Sequence, residues 1–111
     1  MHDSAIDALK EALRIKPDFL EAMNNLGTAY KDKGLYDQAL ETFHKILELN
    51  PRVAIPHLNL AIVYLYQKKD NKKALYHLER AIEIEPDMLQ AEVIKKKIEE
   101  LKQADSVFRN Q

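Results

Sequence analysis

Three short segments of this chain can be laid on one another, and that repetition limits its possible folds more than any other feature. Ser4–Pro17 reads S-A-I-D-A-L-K-E-A-L-R-I-K-P, Gln38–Pro51 reads Q-A-L-E-T-F-H-K-I-L-E-L-N-P, and Lys73–Pro86 reads K-A-L-Y-H-L-E-R-A-I-E-I-E-P. Their closing prolines fall at intervals of 34 and 35 residues. Between them stand two further matching stretches, Met23–Tyr30 (M-N-N-L-G-T-A-Y) and His57–Tyr64 (H-L-N-L-A-I-V-Y). A period of this length marks stacked supersecondary units, each too small to bury its own apolar face. With 111 residues there is room for one domain with a modest core. Only two glycines are present, and Ala, Leu, Glu and Lys dominate, so the repeated unit is helical.

Local chemistry supports a pair of antiparallel helices per period. Gly27 and Ala61 are small where two helices must approach closely, and Ala39 and Ala74 let the second helix of each pair come near the first. Each proline ends a second helix, because it removes an N–H and disfavours the helical conformation of the residue before it. Asp18 with Glu21, and Asp87 with Gln90, have the spacing of capping boxes that open new helices. Gly34 supplies the turn inside the first pair. The second pair lacks that glycine, and its turn is one residue longer. There Asp70 or Asn71 is expected to take the left-handed conformation or to cap the next helix. The pattern predicts helices near 3–15, 18–32, 36–49, 53–67, 71–84 and 87–104. In the last of these Ala91, Ile94, Ile98 and Leu101 keep the apolar period. Glu92, Lys95, Lys96 and Glu99 occupy the positions that Met23, Leu26, Gly27 and Tyr30 hold in the first full repeat, which closes the stack as a terminal repeat must. Beyond it, Val107 and Phe108 are candidates to dock back on the domain.

The spacing resembles that of the tetratricopeptide repeat (TPR) family. The family's pattern falls on Met23, Leu26, Gly27, Tyr30, Ala39, Phe43, Ile46 and Pro51, with Ile46 departing from the usual small residue, and again on His57, Leu60, Ala61, Tyr64, Ala74, Leu78, Ala81 and Pro86. The leading segment supplies only the second-helix part, at Ala5, Leu9, Ala12 and Pro17. The resemblance implies an all-α right-handed superhelix of antiparallel helix pairs with a C-terminal capping helix. It divides the chain into a partial repeat (1–17), full repeats (18–51 and 52–86), and a cap with its tail (87–111). It further implies a non-catalytic protein-interaction scaffold whose first helices line a concave groove. Mapped onto this chain, the groove is expected at Asn24, Asn25, Thr28 and Lys31, flanked by Glu21 and Asp32. It continues at Ile55, Leu58, Asn59, Ile62, Leu65 and Tyr66, and on the cap at Val93 and Lys97 beside Gln90 and Glu100. Asn25 and Asn59 hold equivalent places, and a side-chain amide that donates and accepts at once suits the backbone of a bound peptide. The equally weighted alternative is that such an asparagine bonds only within the scaffold. Some relatives grip a chaperone tail with a Lys/Asn carboxylate clamp. The corresponding places here hold Asn24, Thr28, Leu58 and Ile62, so that clamp is not expected.

Ala54–Tyr66 reads A-I-P-H-L-N-L-A-I-V-Y-L-Y, with His57 and Asn59 its only clearly polar side chains. Such a helix is packed on two or three sides by its own chain, and it is too short to cross a bilayer. The row Ile55–Leu58–Ile62–Leu65 then asks for a partner, which points to a protein or peptide with a hydrophobic or amphipathic segment. The competing reading is self-assembly, with the apolar surfaces covered by other copies. It draws on the N-terminus, where a second helix begins without a first, leaving Ile6, Leu9 and Leu13 expected to be at least partly uncovered and available as oligomer contacts.

The remaining chemistry is sparse. Net charge is −1, from 17 basic and 18 acidic residues mixed along the chain, which gives no reason to expect nucleic acid or membrane insertion. There is no cysteine, so disulfides and thiolate metal sites are excluded. His2, His44, His57 and His77 lack i, i+4 partners of metal-ligand type, and His57 reads as a packing residue. No nucleophile–base pair or phosphate loop is present. No catalytic residue, cofactor or metal is therefore expected. The start Met-His-Asp-Ser-Ala lacks the regions of a signal peptide, which makes a cytoplasmic location the expectation.

Overall fold

Helix propensity and the 34-residue period resolve into six helices. The computed structural model describes the backbone of residues 2–109 and the side chains of residues 4–105. The elements are α1 (His2–Ile15), α2 (Leu20–Asp32), α3 (Tyr36–Leu49), α4 (Ala54–Tyr66), α5 (Asn71–Ile84) and α6 (Ala91–Arg109). No strand occurs among the described residues. Each helix packs on its neighbours in sequence, and among the described residues the backbones of α2 and α4 also approach closely. That is the quasi-one-dimensional connectivity of a solenoid, and the stack measures 51 × 27 × 22 Å. The protein is an all-α helical repeat solenoid.

The small residues do what their size demands. A Cβ built on Gly27 would stand 2.5 Å from Phe43 Cε1, inside van der Waals contact. Phe43 is itself fully buried, so the ring has nowhere to go. Phe43, Met23, Ala39, Ile46, Leu60, Tyr64 and Ala74 form one core across the first full repeat, α4 and the first turn of α5. Ala61, Leu78, Ile94, Ile98 and Leu101 form a second, which ties α6 to the stack. Glu92, Lys95, Lys96 and Glu99 stand on the exposed side of α6.

Helix ends meet expectation at the Gly34 turn and the Asp70 cap and depart from it elsewhere. Gly34 takes φ +85° in the α2–α3 turn, where only glycine is unstrained. In the α4–α5 turn the left-handed residue is Lys69 (φ 55°), neither Asp70 nor Asn71. Asp70 is committed elsewhere: its carboxylate accepts the Lys73 N–H at 3.1 Å as the N-cap of α5. The residue before it must therefore make the turn. The capping boxes are absent. α2 starts at Leu20 behind Phe19, with no side-chain cap, and α6 starts only at Ala91 after a turn closed by the Ala91 N–H on the Met88 carbonyl. That delay leaves Leu89 fully exposed. At its other end α6 runs on to Arg109, five residues past the expected stop. The side chains of Val107 and Phe108, considered above for docking, lie outside the described residues.

The N-terminal end is less open than its sequence suggests. α1 packs on α2 alone. Ile6 is only 5% exposed, while Leu9 and Leu13 are half-buried and Leu13 reaches the first core. The apolar stripe of α1 is thus partly used within the chain, where it faces α2.

Candidate functional site

The concave side is built where α2 and α4 run beside each other. At 100° per residue, Ile55, Ile62 and Tyr66 fall within about 40° of one another on α4. All three are exposed, at 44%, 37% and 56%. Leu58 and Leu65 lie about 60–80° to one side, and that side faces α6. Both are half-buried and pack on the core that holds Ile94 and Ile98. The row expected from the sequence therefore divides: Ile55, Ile62 and Tyr66 front the groove, and Leu58 and Leu65 wall it off from α6.

Two depressions flank the middle of this groove. One, of about 370 Å³, is bounded by Lys31, Asp32, Tyr36, Ile62, Tyr66 and Gln67. The other, of about 210 Å³, is bounded by Leu20, Glu21, Asn24, Val53, Ile55 and Pro56. Between them the Asn59 Nδ2 amide donates to Asn24 Oδ1 at 3.0 Å. The repeat register pairs Asn25 with Asn59, but the packing pairs Asn24 with Asn59, and Asn25 is left exposed. Thr28 and Lys31 are half-buried along the α2 wall. On the cap Val93 is 72% exposed, and Lys97 is tied to Glu100 at 3.6 Å. The groove thus offers apolar anchors at both ends, a pair of amides between them, and a charged rim of both signs. It holds no base–nucleophile pair. Among the described residues no group of three or more His, Asp or Glu is arranged to hold a metal ion. No helix among them is long and apolar enough to cross a membrane.

The convex side carries a feature that the linear sequence concealed. α3, α4 and α5 each send one histidine toward a crevice of about 340 Å³ lined also by Pro51, Tyr76 and Arg80. His57 Nδ1 and His77 Nδ1 are 2.9 Å apart, and these rings are only 5% and 6% exposed. His44 Nε2 lies 3.2 Å from the Tyr64 hydroxyl, and the Tyr64 ring stacks over His77 with 7° between planes. Burial pushes all three imidazoles below their usual range. His77 is held lowest, at about 4, by burial first and then by the charges that His57 and His44 would carry. Superposing the repeats would have exposed this cluster, since Lys10, Met23 and Thr42 hold the places of His44, His57 and His77.

Known proteins share this architecture. The family model for the tetratricopeptide repeat matches residues 18–86. The human protein O-mannosyl-transferase TMTC1 is 28% identical over 116 residues, a stretch that takes in 94% of this chain and 13% of that protein. The chain therefore spans only a small part of that relative. Among solved structures, YrrB, described as a TPR protein with an unusual peptide-binding site, is 32% identical with a TM-score of 0.77, over 86% of this chain and 48% of that one. The first TPR of Spaghetti (RPAP3), solved with an HSP90 peptide, has a TM-score of 0.79 over 95% of this chain and 80% of its own. At 20% identity that likeness is one of fold.

Proposed function

The chain belongs to the tetratricopeptide repeat family, whose fold is a protein-interaction scaffold, and from that premise we propose that it is a non-catalytic binding module that takes a peptide segment in its concave groove. One observation carries the reading: Ile55, Ile62 and Tyr66 are exposed together on a face the scaffold does not use, astride the Asn24–Asn59 amide pair. Burying one aliphatic side chain is worth about 1.5–3 kcal/mol, so each of the two anchors matters for affinity. Ile55 and Ile62 are two helical turns apart, about 10 Å. The ligand that fits has two apolar side chains at that separation, with backbone polar groups between them for the amides. Its partner is a protein or peptide. The 32% identical structure, itself described as having a peptide-binding site, supports this assignment.

The test begins with a displayed peptide library selected on the parent protein. Selected peptides are then titrated into Ile55→Asp/Ile62→Asp. The double variant should lose binding while its helicity and melting temperature stay near the parent's, because both positions are exposed. Retained affinity in a folded double variant would remove the groove from the account. The self-assembly reading keeps Leu9 and Leu13, which are half-buried, and loses Ile6, which is buried. It predicts concentration-dependent dimers weakened by Leu9→Glu, which light scattering decides.

A further inference from the structure

The convex crevice contains a hydrogen bond that the fold does not require. Two imidazole Nδ1 atoms at 2.9 Å need a proton between them. One ring donates an Nδ1–H and the other accepts with its lone pair. The pair tolerates a single added proton, because the bond survives with one ring charged. A second added proton cannot be accommodated. Two N–H groups would then face each other, and two charges would share a site nearly closed to water. We propose that the His57–His77 pair, buttressed by His44 and Tyr64, is an acid-sensitive latch that holds α4 against α5 and releases it when both rings are protonated.

Every helix around the pair contributes to its balance. From α5, Arg80 opposes a charge on His57 and Lys73 one on His44; from α3, His44 opposes charge on both members of the pair. In the other direction, Glu48 on α3 favours charge on His44, and the Pro51 carbonyl favours it on His57. From α4, Tyr64 covers His77 and meets His44. The two rings of the pair sit on different helices, so their repulsion acts across the α4–α5 contact. The groove face of the same α4 carries Ile55 and Ile62, so opening the latch displaces one wall of the groove. That last consequence rests on the reading of the groove as a binding site; the latch itself does not.

The first repeat supplies the control, since Met23 and Thr42 fill the same two positions there without a hydrogen-bonded pair. The parent and His57→Met/His77→Thr are melted between pH 7.5 and 4.5. The parent's midpoint should fall by about 10 °C more than the variant's. Equal falls would overturn the latch. If the variant does not fold, proton NMR of the parent's imidazoles decides. The latch requires one member of the pair to resist protonation until below pH 5, with its titration coupled to the other. Two independent titrations near pH 6.5 would overturn it. The groove is read separately, with a selected peptide that has no group titrating between pH 4 and 7. Its affinity should drop at low pH for the parent and not for the variant. A pH-independent affinity in a parent whose pair titrates as described would overturn the link to the groove and leave the latch standing.

Discussion

α2 and α4 hold the same place in successive repeats and differ on both of their free faces. What they share is the packing seam: Leu26 with Leu60, Gly27 with Ala61, Tyr30 with Tyr64. Toward the groove, α2 shows Asn24, Asn25, Thr28 and Lys31, whereas α4 shows Ile55, Ile62 and Tyr66 around one asparagine. Toward the back, α2 places Met23 in a crevice with Lys10, Thr42 and Lys45, and α4 places His57 in the equivalent crevice with His44, His77 and Arg80. The scaffold fixes where side chains point, and the residues that differ between repeats decide what those faces do.

The comparison breaks most completely if the shared seam is attacked. Gly27→Leu would drive a side chain into the buried Phe43 ring. We expect a loss of about 3 kcal/mol or more, seen as a lowered denaturation midpoint. A parent-like midpoint would mean that the two repeats are not packed alike.

The back faces differ next in size of effect. His77 is lowered from 6.5 to about 4 in the folded protein, so between those values the unfolded chain binds more protons than the folded one. Stability from this group is complete above about pH 6.5 and lost as the pH falls toward 4. The full swing is on the order of 3 kcal/mol for the second repeat, at 1.36 kcal/mol per unit, with no counterpart in the first. Denaturant melts across that range check it in the parent and in His77→Thr.

The repeat phase, the proline stops, the Gly34 turn and the tight Gly27 contact were legible in the sequence because each follows from one residue's own geometry. The starts of α2 and α6 were not. The Asp18/Glu21 and Asp87/Gln90 spacings fit a capping box, yet α2 and α6 begin late, and the turn preceding each decides the start. The histidine cluster leaves no local pattern, because its members are far apart in sequence and meet only through α3–α4–α5 packing; superposing the repeats is the one sequence signal for it. The division of Leu58 and Leu65 from Ile55 and Ile62 depended on where α6 would lie, which no local pattern fixes.

Smaller effects sharpen the picture. The second repeat's turn has Lys69 in the left-handed conformation where the first has Gly34, and Asp70 caps the helix that follows. Asp70→Ala should therefore cost about 1 kcal/mol by removing the α5 cap, measurable by thermal melting. Asn25 and Asn59 hold equivalent places with unequal roles. Asn59→Ala should cost about 0.5–1 kcal/mol through the lost Asn24 bond, and Asn25→Ala should change stability by less than about 0.5 kcal/mol. Equal values would show that the amide pair contributes nothing.

The most direct test of the groove assignment is to map a selected peptide onto the backbone amides of the isotope-labelled protein. Binding in the groove predicts the largest shifts at Asn24, Lys31, Asn59, Ile62 and Tyr66, with little change at Lys10, Glu41 or Tyr76 on the back. Shifts concentrated on the convex crevices, with the α2–α4 groove silent, would contradict the account.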